Sequence, residues 1–80
     1  MAFTREPVRM AGILRGRGET AQCMMSAMRV TLDGTRLSKD CQFSLEWISK
    51  PLPEGNYSLT FDDRTIQLHY SKGNWRAAAV

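Results

Sequence analysis

The sequence predicts an all-β fold, a small single-domain barrel or compact sandwich of five or six short antiparallel strands, of the SH3-like or OB-like kind. Three observations predict it. Apolar and polar residues alternate through the C-terminal third, turn dipeptides recur at short intervals, and 80 residues leave room for one small core. Residues 19–28 also fit a short helix, which would make the class α+β.

The alternation is clearest in residues 56–79, which read as a three-stranded meander. Tyr57, Leu59 and Phe61 share one face, and Ile66, Leu68 and Tyr70 share one face of the next segment. A two-residue loop at Asp63-Arg64 pairs Phe61 with Ile66, Leu59 with Leu68 and Tyr57 with Tyr70. A second loop at Lys72-Gly73, with glycine free to take positive φ, pairs Tyr70 with Trp75, Leu68 with Ala77 and Ile66 with Ala79. Moving that loop one residue on would set Trp75 opposite Lys72.

The earlier elements are shorter or weaker. Met1–Glu6 reads as a loose arm ended by Pro7. Val8–Arg15 reads as a strand in which Gly12 and Gly16 mark a bulge or a close backbone approach. Residues 19–28 carry two patterns. Ala21, Met24, Met25 and Met28 have helical spacing, whereas Met24, Met28, Val30 and Leu32 share strand parity. The strand reading is preferred, since the segment runs without a cap into Arg29–Leu32; a three-residue connection at 16–18 then sets Arg15 opposite Glu19 and Met10 opposite Met24. Asp33-Gly34 signals a hairpin pairing Val30 with Leu37. In Gln42–Ile48, Phe43, Leu45 and Trp47 point inward. Lys50–Gly55, with two prolines and a glycine, is a stiff loop.

Composition excludes several classes. No segment approaches the roughly 20 apolar residues of a membrane helix, and the N-terminus lacks the apolar run of a secretory signal, so the expected setting is cytoplasmic, in the cell or in an infected host. Cys23 and Cys41 are expected as free thiols; with one histidine they complete no zinc pattern, and no cofactor or metal is expected. The clustered methionines read as adaptable core filler.

Charge is distributed unevenly. The whole net charge of +3 lies in residues 1–17, where Arg5, Arg9, Arg15 and Arg17 face Glu6 alone; the rest of the chain balances seven basic against seven acidic side chains. Arginine suits planar contact with phosphate or carboxylate. Arg15-Gly16-Arg17-Gly18 would hold an anion at a turn and resembles one copy of the RGG-type segments of RNA-binding proteins, but a tight turn between strands is the simpler reading.

Catalytic constellations are weak. The expected register sets Ser58 opposite His69, but the next residue in that row is Arg76, which opposes an imidazolium, and no nucleophile elbow or oxyanion nest accompanies the pair. Asp62 and Asp63 read as turn residues rather than as a metal or acid pair. The expectation is therefore a non-enzymatic module acting by protein–protein association, as an adaptor or a small inhibitor of a larger enzyme of the kind phages and mobile elements encode. Its contact residues would be Arg5, Arg9, Arg15, Arg17, His69 and Arg76. The alternative is a nucleic-acid-binding barrel using the N-terminal arginines at a sequence pI of 9.2. Tyr57, Tyr70 and Trp75 could then stack bases, although their parity places them in the core.

Overall fold

The computed structural model describes residues 6–28, 30–38 and 41–77. Its strands are β1 (Val8–Gly16), β2 (Glu19–Ala27), β3 (Leu32–Asp33), β4 (Arg36–Leu37), β5 (Phe43–Ile48), β6 (Gly55–Phe61), β7 (Arg64–Ser71) and β8 (Asn74–Ala77). Six form one antiparallel sheet in the order β5-β2-β1-β6-β7-β8, curled into a nearly closed barrel, and β3 with β4 forms a separate hairpin. No helix occurs among the described residues, so none is long and apolar enough to cross a membrane. The fold is all-β, and residues 19–27 are strand.

The inner face of the sheet carries the core. Leu14, Cys23, Met25, Tyr57, Leu59, Phe61, Ile66 and Leu68 are buried together, with Met10, Phe43, Leu45, Ile48, Tyr70 and Trp75 packed against them. Burial decides why 19–27 is a strand. Strand parity puts Ala21, Cys23, Met25 and Ala27 inward, whereas the helical set would spend a position on Met28, which is exposed. Tertiary burial overrides local helix preference here.

Three two-residue turns set the faces: Arg17-Gly18, Asp62-Asp63 and Lys72-Gly73. All six residues have positive φ, between 46° and 80°, the pattern of the primed turns whose twist matches antiparallel strands. A non-glycine residue there costs about 1–2 kcal/mol. Burying one core leucine, worth roughly 1.5–3 kcal/mol, offsets it. The second central residue is Gly, Asp and Gly in turn.

That rule corrects the first C-terminal loop. It lies at Asp62-Asp63, not Asp63-Arg64, so Phe61 pairs with Arg64, Leu59 with Ile66 and Tyr57 with Leu68. Shifting a loop by one residue shifts the partners by two and leaves the faces unchanged, so face-matching could not locate it. Aspartate tolerates the left-handed conformation better than the arginine of the expected loop. The Lys72-Gly73 loop holds, with Tyr70 opposite Trp75 and Leu68 opposite Ala77. The expected partner of Ile66, Ala79, lies outside the described residues, as do residues 1–5 of the expected arm.

The N-terminal half departs further. The connection after Gly16 has two residues rather than three, so Gly16 pairs with Glu19, Arg15 with Thr20 and Met10 with Met25. An odd shift exchanges faces: Met25 turns inward and Met24 outward. β2 stops at Ala27, before Val30. The small hairpin pairs Leu32, not Val30, with Leu37 around Gly34-Thr35, where Gly34 alone has positive φ. Thr31 and Ser38 continue it, and the Thr35 carbonyl accepts a hydrogen bond from the Gln67 N–H of β7 at 3.0 Å. In β5 a bulge opposite Met24/Met25 leaves Glu46 unpaired, so Trp47 faces out and Ile48 faces in. One inserted residue reverses the parity beyond it.

β1 joins the two halves of the sheet through Ile13–Arg15 against Ser58–Thr60. Its glycines mark a close backbone approach and no bulge. A Cβ on Gly16 would fall on the Asn56 carbonyl and 3.0 Å from Tyr57 Cα; one on Gly12 would lie 2.7 Å from Leu59 Cδ1 and 3.2 Å from the Thr60 carbonyl. Gly16→Ala is expected to cost about 2–3 kcal/mol, because backbone must yield, and Gly12→Ala less, because its nearest obstacle is a side-chain tip. Urea midpoints measure both; an unchanged midpoint for Gly16→Ala refutes the close approach.

Burial also sets an alkaline limit. It pushes the Cys23 thiol up to about 11 from its ordinary 9.0, against a smaller opposing effect of a hydrogen bond with the Gly12 backbone. The unfolded thiol ionises first, so stability is unaffected below about pH 9 and falls as pH rises to about 11, by up to roughly 2.7 kcal/mol. Tyr57, also raised by burial, adds to the loss at higher pH. Urea titrations from pH 8 to 11 should show this fall, and Cys23→Ala should remove the earlier part of it.

Candidate binding face

Antiparallel pairing carries side chains of β1, β6, β7 and β8 into rows across the outer face of the barrel. One row runs Arg15, Ser58, Gln67. The next runs Asn56, His69, Arg76. Between strands about 4.8 Å apart, these side chains are immediate neighbours. Within the rows Ser58 Oγ donates to Gln67 Oε1 at 3.2 Å, and His69 Nδ1 lies 2.8 Å from Asn56 Oδ1. Ser58 therefore faces Gln67 and not His69. The two-residue shift of the first loop separates the expected serine–histidine pair, while His69 beside Arg76 holds.

The cations gather at the β7–β8 end. His69, Ser71, Lys72, Asn74 and Arg76 line a cleft of about 360 Å³. Among the described residues no acidic side chain stands in either row or lines this cleft. Glu54 is close by, but its carboxylate is occupied by the backbone N–H of Lys72. The cleft thus presents an imidazole, an ammonium and a guanidinium, with a hydroxyl and an amide among them. Such a set suits carboxylate or phosphate oxygens. Nothing in it supplies a nucleophile with an attached base.

The predicted arginines divide. Arg15 joins His69 and Arg76 on the outer face. Arg9 lies farther along β1, opposite Ser26, where Nε is 3.4 Å from Glu46 Oε2. Arg17 sits in the β1–β2 turn with its stem across Gly55, whose φ is 144°; a Cβ on Gly55 would stand 3.0 Å from Arg17 Cγ. Its charge acts on Tyr57, partly opposing the burial that pushes the phenol up. Arg5 lies outside the described residues. Sequence reasoning placed Ser71 and Asn74 on the same polar face as His69 and Arg76 but missed Lys72, having used it only as a turn residue.

The aromatic row is part of the packing. Tyr57 is 1% exposed, and its ring meets Trp75 edge-on at 5.2 Å, while Tyr70 stacks on Trp75 at 4.5 Å. Tyr70 and Trp75 are half-buried, and each gives one ring face to the other. Tyr57 Oη also donates to the Pro53 carbonyl, tying the stiff loop to the core. Cys23 and Cys41 are not joined by a disulfide. Among the described residues no group of three or more His, Cys, Asp or Glu side chains is placed to hold a metal.

Compared with family models, curated proteins and solved structures, the chain matches none.

Tyr57→Phe removes the bond to Pro53 while keeping the ring. It is expected to lower stability by about 1 kcal/mol, read as a urea midpoint shift, without altering the outer face. An unchanged midpoint would show that this tie contributes nothing.

Proposed function

We propose that this protein is a non-enzymatic binding module that docks onto an acidic protein surface through the outer face of β1, β6, β7 and β8. Arg15, His69, Lys72 and Arg76 make the contact. One observation carries the reading: two neighbouring rows and the cleft beside them hold Arg15, Lys72 and Arg76 with the His69 imidazole and uncharged polar groups, and among the described residues no acid stands in the rows or lines the cleft. Ser58 bonds Gln67 and Asn56 bonds His69 in the free protein, and these pairs exchange their bonds for a partner's at low cost. Complementary charge would speed encounter and fix orientation. An adaptor and an inhibitor of a larger enzyme are both served by such a face, within a cytoplasmic setting.

Phosphate in a nucleic acid is the rival ligand for the same cations. The packed aromatic row favours protein: Tyr57 is buried and Tyr70 and Trp75 each give a ring face to the other, whereas sequence-tolerant binding of single strands draws on stacked bases as well as charge.

The test compares partner recovery by the wild-type chain, by Arg15→Glu/Arg76→Glu, and by Arg9→Glu, a charge reversal away from the cleft. Wild type and Arg9→Glu are expected to retain an acidic protein that salt elutes, and the double reversal to bind it at least about tenfold more weakly, ~1.4 kcal/mol. Equal recovery by all three defeats the proposed face. Micromolar binding of a single-stranded or duplex oligonucleotide at low salt, lost on adding salt, would replace protein by nucleic acid as the partner.

A further inference from the structure

A second surface lies across the other half of the sheet. The bulge at Glu46 turns Trp47 outward, where it is 53% exposed. In the register Trp47 stands opposite Met24, and Met24 opposite Ala11, with Ile13 two residues along β1. These apolar side chains line a cleft of about 580 Å³ whose far side is Asp62 and Asp63, in the β6–β7 turn. The turn uses the backbone of the two aspartates. Their carboxylates are exposed and take part in no hydrogen bond or ion pair among the described residues.

We propose that this cleft takes an extended segment of another protein carrying an apolar side chain and, four positions away, a lysine or arginine. The spacing follows from the sheet. From Trp47 on β5 across β2 and β1 to the end of β6 is three strand separations, about 14 Å. An extended chain rises roughly 3.3 Å per residue, so about four residues cover that span. An even interval keeps both side chains on the face turned to the cleft. The apolar group packs against Trp47, Met24 and Ile13, and the cation meets Asp62 and Asp63. The charge of the occupant is set by those two unpaired carboxylates, in a chain whose net charge is +3 and whose other cleft is cationic. A nucleic acid is disfavoured by the same carboxylates. This site and the cationic face stand or fall separately.

The probe is the capped pentapeptide Leu-Ser-Thr-Ser-Lys, with Leu-Ser-Thr-Ser-Glu as its control, titrated into the full chain and followed by nuclear magnetic resonance. The lysine peptide is expected to shift the Trp47 indole and the Ile13 and Met24 methyl signals. It should bind about fivefold more tightly than the glutamate peptide, against the sign of the net charge. Asp62→Asn/Asp63→Asn, which keeps residues suited to the turn, should abolish that preference. Trp47→Ser should weaken both peptides. The proposal is overturned if the glutamate peptide binds equally or better, or if about 5 mM lysine peptide leaves the cleft signals unmoved. It is also overturned if those signals move with protein concentration alone, which assigns the cleft to a second copy, or if Trp47 shows contacts to Phe3 of its own chain in the absence of peptide.

Discussion

The approach of β1 to β6 is the constraint on which the remaining structure depends. Without it, β5-β2-β1 and β6-β7-β8 would be two unconnected ribbons, each with an open apolar face. The two are joined by a short ladder at Ile13–Arg15, and Gly16 lies so near the β6 backbone that no side chain fits there. Closing this ladder brings Leu14 against Leu59 and Tyr57 over Gly16, which places a single core inside a curled sheet. The connection is also the one that brings Arg15 beside Ser58, and so continues the outer rows from β7 and β8 onto β1. The core inside and the polar rows outside share that seam.

The sheet's two sides show what alternation can and cannot specify. The inward set of the C-terminal meander, Tyr57, Leu59, Phe61, Ile66, Leu68, Tyr70 and Trp75, was legible because its parity survives any whole-residue shift of a two-residue loop. The partners across β6 and β7 were not legible for the same reason. Only the preference for aspartate or glycine at the second turn position separates the two registers of β6 and β7. Between β1 and β2 the error was different in kind, since a connection one residue shorter exchanges faces and turns Met25 rather than Met24 into the core. In β5 no local signal marks the bulge, because Glu46 suits an outward position whichever neighbour it leaves unpaired.

These distinctions carry over to the surfaces. His69 and Arg76 were found from sequence because the Lys72-Gly73 turn admits only one sensible pairing. Arg15 was singled out for its charge, and its position beside the same rows depends on the β1–β6 seam, a contact between residues more than 40 apart that no local pattern records. Arg9 and Arg17 shared its compositional signal but are drawn to Glu46 and across Gly55. Clustering of charge along a chain and clustering in space are separate properties, and strands separate them by alternate residues. The outward Trp47 is the converse case, a residue assigned to the core by parity and exposed by one insertion.

The small β3–β4 hairpin has a consequence beyond its size. β8 pairs with β7 as far as Leu68 opposite Ala77, and the next inward-stepping backbone group, the Gln67 N–H, is taken by the Thr35 carbonyl. A row of unsatisfied amides at the margin of a sheet is a template on which another chain can add, and proteins rich in strands aggregate by that route. Here a two-stranded hairpin outside the main sheet occupies a backbone donor of β7 one residue beyond the last described β7–β8 pair. Occupying that donor leaves one fewer open amide at the margin of the sheet for another chain to pair with.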